Sequence, residues 1–425
     1  MKNAGKKTEG GRWFREQMAH PPASCRSLPF WSWNGRMEEE EVHRQVNLLY
    51  QGGVGGFFMH AREGLEIEYM GERWMSCILA AVQEAKRLGL EAWLYDEDRW
   101  PSGGAAGRVC AQGQDAYRCK GLTMEVCGQK PDAQDRKCGP EGRLLAAYAA
   151  SVSDDSPMEL NSYRRIPVIN GKPADIPAGV EGTLLLLREE VSAPHEWFHG
   201  EAPPDLLNPD AVDCFIRETH ERYKTLLGDE FGGAVKGIFT DEPSLADRRA
   251  AFSPVRGWMP WTWGLEREFA DEFGYDLLDA APRLYFRAEG YRKVRHDYWK
   301  LISMRFSRTY SGRIGAWCEE NGISYTGHFL QENKLGLCTR VNGAVMPHYR
   351  WQQVPGIDWL GEQAEEYVTV KQCAGVAAQM GRKTVLTETY AAPDGNSRWK
   401  GRSGSGIFSL RWEPTGGVSI WPFIH

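Results

Sequence analysis

The sequence contains no apolar run long enough to span a membrane, and its start lacks the apolar core of a secretory signal. Both absences predict a cytoplasmic protein without a membrane partner. Basic residues are spread along the 425-residue chain, and the formal net charge is −6. Since nucleic-acid binding needs clustered positive charge, the sequence also argues against a nucleic-acid partner.

Motifs for zinc, redox and nucleotide chemistry are absent too. The ten cysteines lie scattered from Cys25 to Cys373, without a CxxC pair or a histidine at zinc-ligand spacing. No HExxH motif occurs, and the glycine-rich stretch 52–56 precedes a predicted strand instead of following one. The sequence therefore predicts no metal site of these kinds and no phosphate-binding loop.

Aromatic residues are abundant, at 12% of the chain, and include 17 tryptophans. Sugar rings present apolar C–H faces that stack on flat aromatic rings, while sugar hydroxyls bond to carboxylates and amides. Loop tryptophans beside acidic residues therefore indicate a carbohydrate ligand, whereas most of the others fill a hydrophobic core. The tryptophans that fit the loop pattern are Trp31, Trp33, Trp100, Trp258, Trp261 and Trp263.

Strand-like and helix-like segments alternate along most of the chain, which is the pattern of a parallel α/β protein. Seven such strands are predicted, so we expect a (β/α)₈ TIM-type barrel that lacks a proper eighth strand. After the third strand the helical period disappears, and short alternating runs predict a small β-rich insertion. The predicted parts are an N-terminal extension (1–28), barrel strands one to three (29–107), the insertion (108–204), barrel strands four to seven (205–392) and an aberrant tail (393–425).

Two glutamates follow predicted strands, at the positions where a barrel carries its catalytic residues. The carboxyl ends of parallel barrel strands converge on one mouth, and Glu242 follows the fourth predicted strand while Glu388 follows the seventh. Cleaving a glycosidic bond takes one carboxylic acid to protonate the leaving oxygen and a second carboxylate as nucleophile or base. The pair therefore predicts a glycoside hydrolase acting on an oligosaccharide or glycoside, although either glutamate alone is equally typical of a helix N-cap or a solvated loop.

The acidic loop 96–98 has two interpretations. Its three carboxylates suit sugar hydroxyls or a hard cation such as Ca²⁺, which is the one cofactor that the sequence allows. Alternatively, the three carboxylates repel one another in a solvated loop, and Arg99 and water reduce that repulsion. Histidines after the second and fifth strands suit hydroxyl binding, although a lone histidine is also typical of a structural hydrogen bond. The predicted substrate-binding residues are Trp33, Asn34, His60, Arg62, Asp96, Asp98, Trp100, Asp241, His328 and Tyr390.

Five segments (PFWSWNG, GGVGGFFMHAREGL, AWLYDEDRWPSGG, GIFTDEPS and VLTETY) resemble glycoside hydrolase family 106, the α-L-rhamnosidase group. The resemblance implies a (β/α)₈ catalytic barrel and inverting hydrolysis of terminal rhamnosides by paired glutamates. It also implies, in some members, a calcium ion. Matched by motif, the general acid is Glu242 of TDEP and the general base is Glu388 of TETY.

The resemblance stops after Ala392. The following residues show no helical period and no convincing strand, whereas a reading register displaced by one nucleotide restores a glycine-tryptophan turn, a helix and a strand. We therefore expect a frameshift near codon 392 and a C-terminally truncated barrel. Two alternatives to an enzyme follow: a non-catalytic carbohydrate-binding protein on the same scaffold, and an inactive gene product that folds poorly.

Overall fold

The chain forms a mixed α/β fold with one large, mainly parallel sheet and one antiparallel sheet. None of the helices described here is long and apolar enough to cross a membrane. The computed structural model describes residues 11–12, 15–16, 19–127, 142–153, 155–173, 183–245, 258–359 and 367–389, together with the backbone of 408–412.

The main sheet has eight strands, which are β1 (Leu28–Gly35), β2 (Gly56–Leu65), β3 (Glu91–Tyr95), β10 (Val235–Asp241), β12 (Ser324–His328), β13 (Gly356–Trp359), β14 (Val385–Thr389) and β15 (Phe408–Trp412). Their order in the sheet is β12-β10-β3-β2-β1-β15-β14-β13. All neighbours run parallel except β15, which is antiparallel to both β1 and β14. The other seven strands therefore share one direction, and their carboxyl ends lie along one rim.

Helices follow most of these strands and cover the sheet. In α2, for example, Trp74, Ile78 and Val82 repeat at helical spacing on a fully buried face, and Gly89 ends the helix with a φ of 71°. The helices are α1 (Glu39–Gln51), α2 (Glu72–Leu88), α3 (Arg108–Gly113), α4 (Pro209–Glu218), α5 (His220–Leu227), α6 (Leu265–Phe273), α7 (Leu277–Ala280), α8 (Pro282–Tyr285), α9 (Tyr291–Phe306), α10 (Arg313–Glu320), α11 (Leu335–Asn342), α12 (Met346–Tyr349) and α13 (Val368–Gln379).

The antiparallel sheet comes mainly from the segment that was predicted to be β-rich. Its strands are β4 (Lys120–Cys127), β5 (Arg143–Val152), β6 (Leu160–Ile166), β9 (Thr183–Val191) and β11 (Met259–Trp261), in the order β11-β4-β9-β5-β6. The strands β7 (Val168–Ile169) and β8 (Lys172–Pro173) pair as a small hairpin. An antiparallel sheet is confirmed here, while the domain boundaries given above stay a prediction. No sequence pattern indicated that β11, well beyond the insertion, joins this sheet.

Three of the tryptophans with the carbohydrate pattern serve this second sheet instead. Trp258 and Trp261 are buried, and the indoles of Trp261 and Trp263 both donate to the carboxylate of Glu189, at 2.8 and 3.2 Å. The Lys120 ammonium lies 4.5 Å from the ring centre of Trp263. For Trp258 and Trp261 the interpretation is therefore corrected from sugar stacking to packing and hydrogen bonding around β4 and β9, whereas Trp263 is half exposed.

The two end strands of the main sheet approach each other. Val354 N donates to Tyr325 O at 3.2 Å, and a Cβ on Gly356 would lie only 2.6 Å from Gly327 O. One buried cluster also joins side chains from across the sheet: Leu28, Phe30, Phe58, Trp93, Tyr95, Phe239, Val354 and Leu386. Both observations are what a sheet curled on itself produces, and the closed barrel stays a prediction that they support.

The tail was expected to hold no convincing strand, and for residues 408–412 this expectation is corrected. Their backbone pairs with β1 on one side and with β14 on the other, although in the antiparallel sense that a (β/α)₈ barrel does not use. The remainder of the tail (393–407 and 413–425) and the expected frameshift point at codon 392 lie outside the described residues.

Candidate active site

Strand ends along the rim bring five titratable residues together, namely Asp241, Glu242, His328, Asp358 and Glu388, which we call the His328 cluster. Asp241 at the end of β10 pairs in register with His328 at the end of β12, and Asp358 in β13 pairs with Glu388 in β14. Gly327 permits this approach, because a Cβ at that position would lie 1.9 Å from Thr240 O. The parallel register therefore explains why residues so distant in sequence meet.

His328 is a buried cation between two carboxylates. Its Nε2 lies 3.0 Å from Asp241 Oδ1, its Nδ1 lies 3.3 Å from Glu388 Oε2, and the residue is 2% exposed. Burial lowers the pKa of His328, but the charges of Asp241 and Glu388 outweigh burial and raise this pKa well above its usual value. For Asp241 burial raises the pKa, and His328 more than reverses that rise.

Glu242 has an unusual backbone and holds a proton. Its φ is +44°, a left-handed conformation that is uncommon outside glycine and typical of functional sites. A carboxylate oxygen of Glu242 lies within 4.8 Å of a ring nitrogen of His328 and of an Asp358 oxygen. Burial and the charge of Asp241 raise the pKa of Glu242 to about 8, so that the side chain is a carboxylic acid at neutral pH.

Glu388 approaches the same histidine from β14. It is 5% exposed, and one of its oxygens lies within 4.8 Å of a His328 ring nitrogen and of an Asp241 oxygen. Burial raises the pKa of Glu388 above its usual value, while the neighbouring His328 opposes the rise. The structure thus brings together Glu242 and Glu388, the two carboxylates that the sequence selected, around one imidazole.

Two further residues hold the His328 cluster in place, and the sequence analysis missed both. Glu332 is 3% exposed and accepts from Tyr349 Oη at 2.6 Å, Phe329 N at 3.1 Å and Asp358 N at 3.0 Å, which ties the end of β12 to β13. Tyr95, the last residue of β3, donates to Asp241 Oδ2 at 2.6 Å. Their positions at the end of β3 and shortly after β12 were the only signals available.

The acidic loop after β3 fixes the backbone around it through hydrogen bonds. Five backbone N–H groups, from Asp98 and from residues 103–106, donate to the two oxygens of Glu97 at 2.6–3.1 Å. Ser102 Oγ donates to Asp96 Oδ1 at 2.6 Å and accepts from Asp241 N at 2.8 Å. The loop is therefore clamped onto the backbone that immediately precedes Glu242.

These contacts decide the two interpretations of residues 96–98. Asp96 bonds to Ser102, Glu97 faces backbone N–H donors, and Asp98 Oδ2 lies 3.1 Å from His199 Nε2. A Ca²⁺ site needs several oxygen ligands that converge on one point, whereas these carboxylates have separate partners. The interpretation as a Ca²⁺ site is therefore corrected, and so is that of a solvated, mutually repelling loop, because Asp96 and Glu97 are buried.

His60 offers an imidazole with unused hydrogen-bonding capacity. It is 1% exposed, its ring centre lies 4.0 Å from that of Tyr95, and neither ring nitrogen has a hydrogen-bond partner among the described residues. Burial lowers the pKa of His60 to about 3, so the ring is neutral and presents one donor and one acceptor. Such a group suits a sugar hydroxyl.

The other predicted binding residues lie in different environments. Arg62 and Trp100 lie together, with the guanidinium carbon 4.5 Å from the indole centre, and Asn34 is exposed on β1. Trp33 is 1% exposed and packs against Trp74 in the hydrophobic core, so its predicted substrate-binding role is corrected to core packing. Tyr390 lies outside the described residues.

A calcium ion does not suit the His328 cluster. Among the described residues, the groups of titratable side chains close enough to share an ion are Asp241, His328 and Glu388, and Glu242, His328 and Asp358. Both groups depend on His328, whereas Ca²⁺ takes oxygen ligands, and His328 is protonated by its carboxylate neighbours. We therefore derive no step through a calcium ion.

Comparison with known proteins gives a likeness of fold. No protein-family model matches the sequence, and no curated protein matches it. Among solved structures, the chain is similar to a rhamnosidase from Novosphingobium sp. PP1Y, with a TM-score of 0.58 and 14% sequence identity. The match covers 90% of this chain and 54% of that protein, so the chain spans about half the length of that rhamnosidase.

Proposed function

We propose that the chain carries the active site of a glycoside hydrolase that cleaves a terminal glycoside, an α-L-rhamnoside or a similar deoxy sugar. The observation that carries this proposal is the meeting of Glu242 and Glu388 around His328 on the strand-end rim. The rhamnosidase likeness, although at 14% identity, supports the same chemistry on a similar fold.

Glu242 acts as the general acid. With a pKa of about 8 it holds a proton at neutral pH and donates it to the leaving oxygen as the glycosidic bond breaks. Asp241 stays ionised through His328 and Tyr95, and its negative charge helps to keep the proton on Glu242. This is the arrangement by which glycosidases separate the roles of two carboxyl groups.

Glu388 acts as the general base that activates water. Burial and the neighbouring acids raise the pKa of Glu388 well above its usual value, and His328 limits this rise, so the ionised form that base catalysis needs is reached as the pH increases. After proton donation Glu242 becomes an anion close to His328, which limits the cost of its new charge.

The experiment is hydrolysis of a panel of aryl and alkyl glycosides, including α-L-rhamnosides, by the chain and its Glu242→Gln and Glu388→Gln variants. We expect each variant to lose about 10²–10⁴-fold in kcat. The loss in Glu242→Gln should be smaller for nitrophenyl leaving groups, which need little protonation, whereas Glu388→Gln should lose equally on both classes. Glu40→Gln, an exposed change on α1, is the matched control. Full activity in both cluster variants would disprove the assignment.

A further inference from the structure

A cavity of about 620 Å³ opens between the loops that follow β2 and β3, at the same rim as the His328 cluster. Its volume is in the range of small-molecule sites. Arg62 connects the two regions, because it lies two residues beyond His60 on β2 and its charge acts on the His60 ring. The charged residues that line the cavity are Arg62, Glu63, Glu68, Asp98, Arg99, Arg108 and His199.

The ion pairs within this lining leave two guanidinium groups without a carboxylate partner. Arg108 pairs with Glu68 at 2.6 Å, and Asp98 lies 3.1 Å from the imidazole of His199. Arg62 and Arg99 form no ion pair within 4.0 Å among the described residues.

Glu63 and Asp98 offset the formal charge of these two arginines, although neither lies within ion-pair distance of their guanidinium groups. Glu63 is exposed to solvent. Burial lowers the pKa of His199, so its ring adds no positive charge of its own at neutral pH. The formal charges of the lining therefore balance, but the guanidinium groups of Arg62 and Arg99 have no carboxylate within 4.0 Å among the described residues, and Arg99 Nη2 contacts only the ring of His199, at 3.0 Å.

Both guanidinium groups are held in position before any ligand arrives. The Arg62 guanidinium carbon lies 4.5 Å from the ring centre of Trp100, and that of Arg99 lies 5.8 Å from the ring centre of Trp197. The two indoles pack edge to face at 4.9 Å, and Trp197 Nε1 donates to Trp100 O at 2.6 Å.

The backbone of Arg99 is fixed as well. Arg99 N donates to Ala61 O at 3.2 Å, and Arg99 O lies 2.9 Å from Tyr95 Oη. Arginines ordered in this way lose little conformational entropy on binding a ligand.

We propose that this cavity is a subsite for a uronic acid residue of the substrate, whose carboxylate binds Arg62 and Arg99. A planar carboxylate matches the two parallel N–H donors of a guanidinium, and Leu65, Ile67 and Tyr69 in the lining suit the apolar C–H faces of the sugar ring. The neighbouring Glu63, Asp98 and Glu68 favour a ligand with one negative charge over a dianion such as a phosphate ester. The inference rests on the proposed function, since it names the class of saccharide that the enzyme acts on.

The test is calorimetric titration of the chain with methyl glucuronoside and methyl glucoside, which differ only in carboxylate against hydroxymethyl, and with the corresponding galacto pair. At least one acidic member should bind about 10-fold more tightly than its neutral partner, because a hydrogen bond to a charged group contributes that much. In Arg62→Gln the preference should fall below about 3-fold, and in Arg62→Gln with Arg99→Gln it should vanish. Arg36→Gln, an exposed arginine outside the cavity, should keep the full preference.

Equal binding of acidic and neutral members, or an acidic preference that persists in the double variant, overturns the proposal. Tighter binding of a glucose sulfate ester than of the glucuronoside also overturns it. The same titrations with Glu242→Gln separate this inference from the catalytic one. An intact acidic preference without any hydrolysis contradicts only the proposed function, and hydrolysis without an acidic preference contradicts only the uronate subsite.

Discussion

Two acid-rich regions stand side by side on the rim, and their buried carboxyl groups have different kinds of partner. In the loop after β3, Glu97 accepts five backbone N–H bonds, and no positively charged side chain among the described residues forms an ion pair with it. In the His328 cluster, Asp241 and Glu388 share one imidazolium. The first arrangement fixes a backbone, whereas the second leaves protons available for transfer.

The two regions differ in whether their buried carboxyl groups can still bind a ligand or exchange a proton. Ala105 and Ala106 have φ values of 50° and 55°, a left-handed pair whose N–H groups converge on Glu97 as a small anion-binding nest. The N–H donors occupy both oxygens of Glu97 and leave this carboxyl group no capacity for a ligand, although burial outweighs them and raises its pKa to about 7. In the His328 cluster the carboxyl groups raise or lower one another's pKa, and that interdependence is typical of catalytic sites.

Breaking the nest should have the largest effect. Glu97→Gln replaces one oxygen by an NH₂ group that faces N–H donors, so we expect the free energy of unfolding to fall by about 3 kcal/mol. Chemical denaturation measures this, with Glu40→Gln as the surface control. A change below about 0.5 kcal/mol, the usual effect of a surface substitution, would contradict the structural role that we give to the loop.

Removing the shared cation is expected to have the next largest effect. His328→Gln leaves Asp241 and Glu388 without their positive neighbour, so the pKa of Glu388 should rise further and the carboxylate should be protonated over more of the pH range. We predict a loss of about 10²-fold in kcat/KM at neutral pH and a shift of the acidic limb of the pH profile toward higher pH. His43→Gln on α1 is the control. An unshifted acidic limb would show that His328 does not control Glu388.

The proton on Glu242 should also make the free energy of unfolding depend on pH. The pKa of Glu242 is about 8 in the folded protein against an ordinary value of 4.5, so between these pH values the folded state keeps a proton that the unfolded chain releases. The free energy of unfolding should therefore decrease as pH rises through this window. Glu242→Gln removes that dependence, and we expect it to be more stable than the parent chain at pH 8 and equal to it at pH 4. Thermal melts at both pH values provide the measurement, and equal differences at the two would contradict the raised pKa.

Much of the main sheet could be predicted from hydrophobic periodicity, and the two candidate carboxylates could be predicted from their positions at strand ends. Glu242 and Glu388 could be selected because parallel strands share a rim, a rule that needs no tertiary detail. Glu332 and Tyr95 could not be selected, since their importance depends on partners in other strands, such as Asp358 N and Asp241 Oδ2.

Two other features could not be predicted from the sequence, for a related reason. The nest around Glu97 requires two alanines in a left-handed conformation, which local propensity disfavours. Trp261 reads as a loop aromatic beside acidic residues, yet β11 carries it into the antiparallel sheet and against Glu189. In both cases tertiary contacts override the local pattern.

The most direct test of the central claim is the rate at which the chain hydrolyses a nitrophenyl α-L-rhamnoside and related aryl deoxyglycosides, measured beside Glu388→Gln. If two carboxyl groups around His328 form an acid–base pair, the parent chain turns over at least one of these substrates and the variant is slower by about 10²-fold or more. Turnover that is the same in the variant, or none by a parent chain that melts cooperatively, would contradict the account.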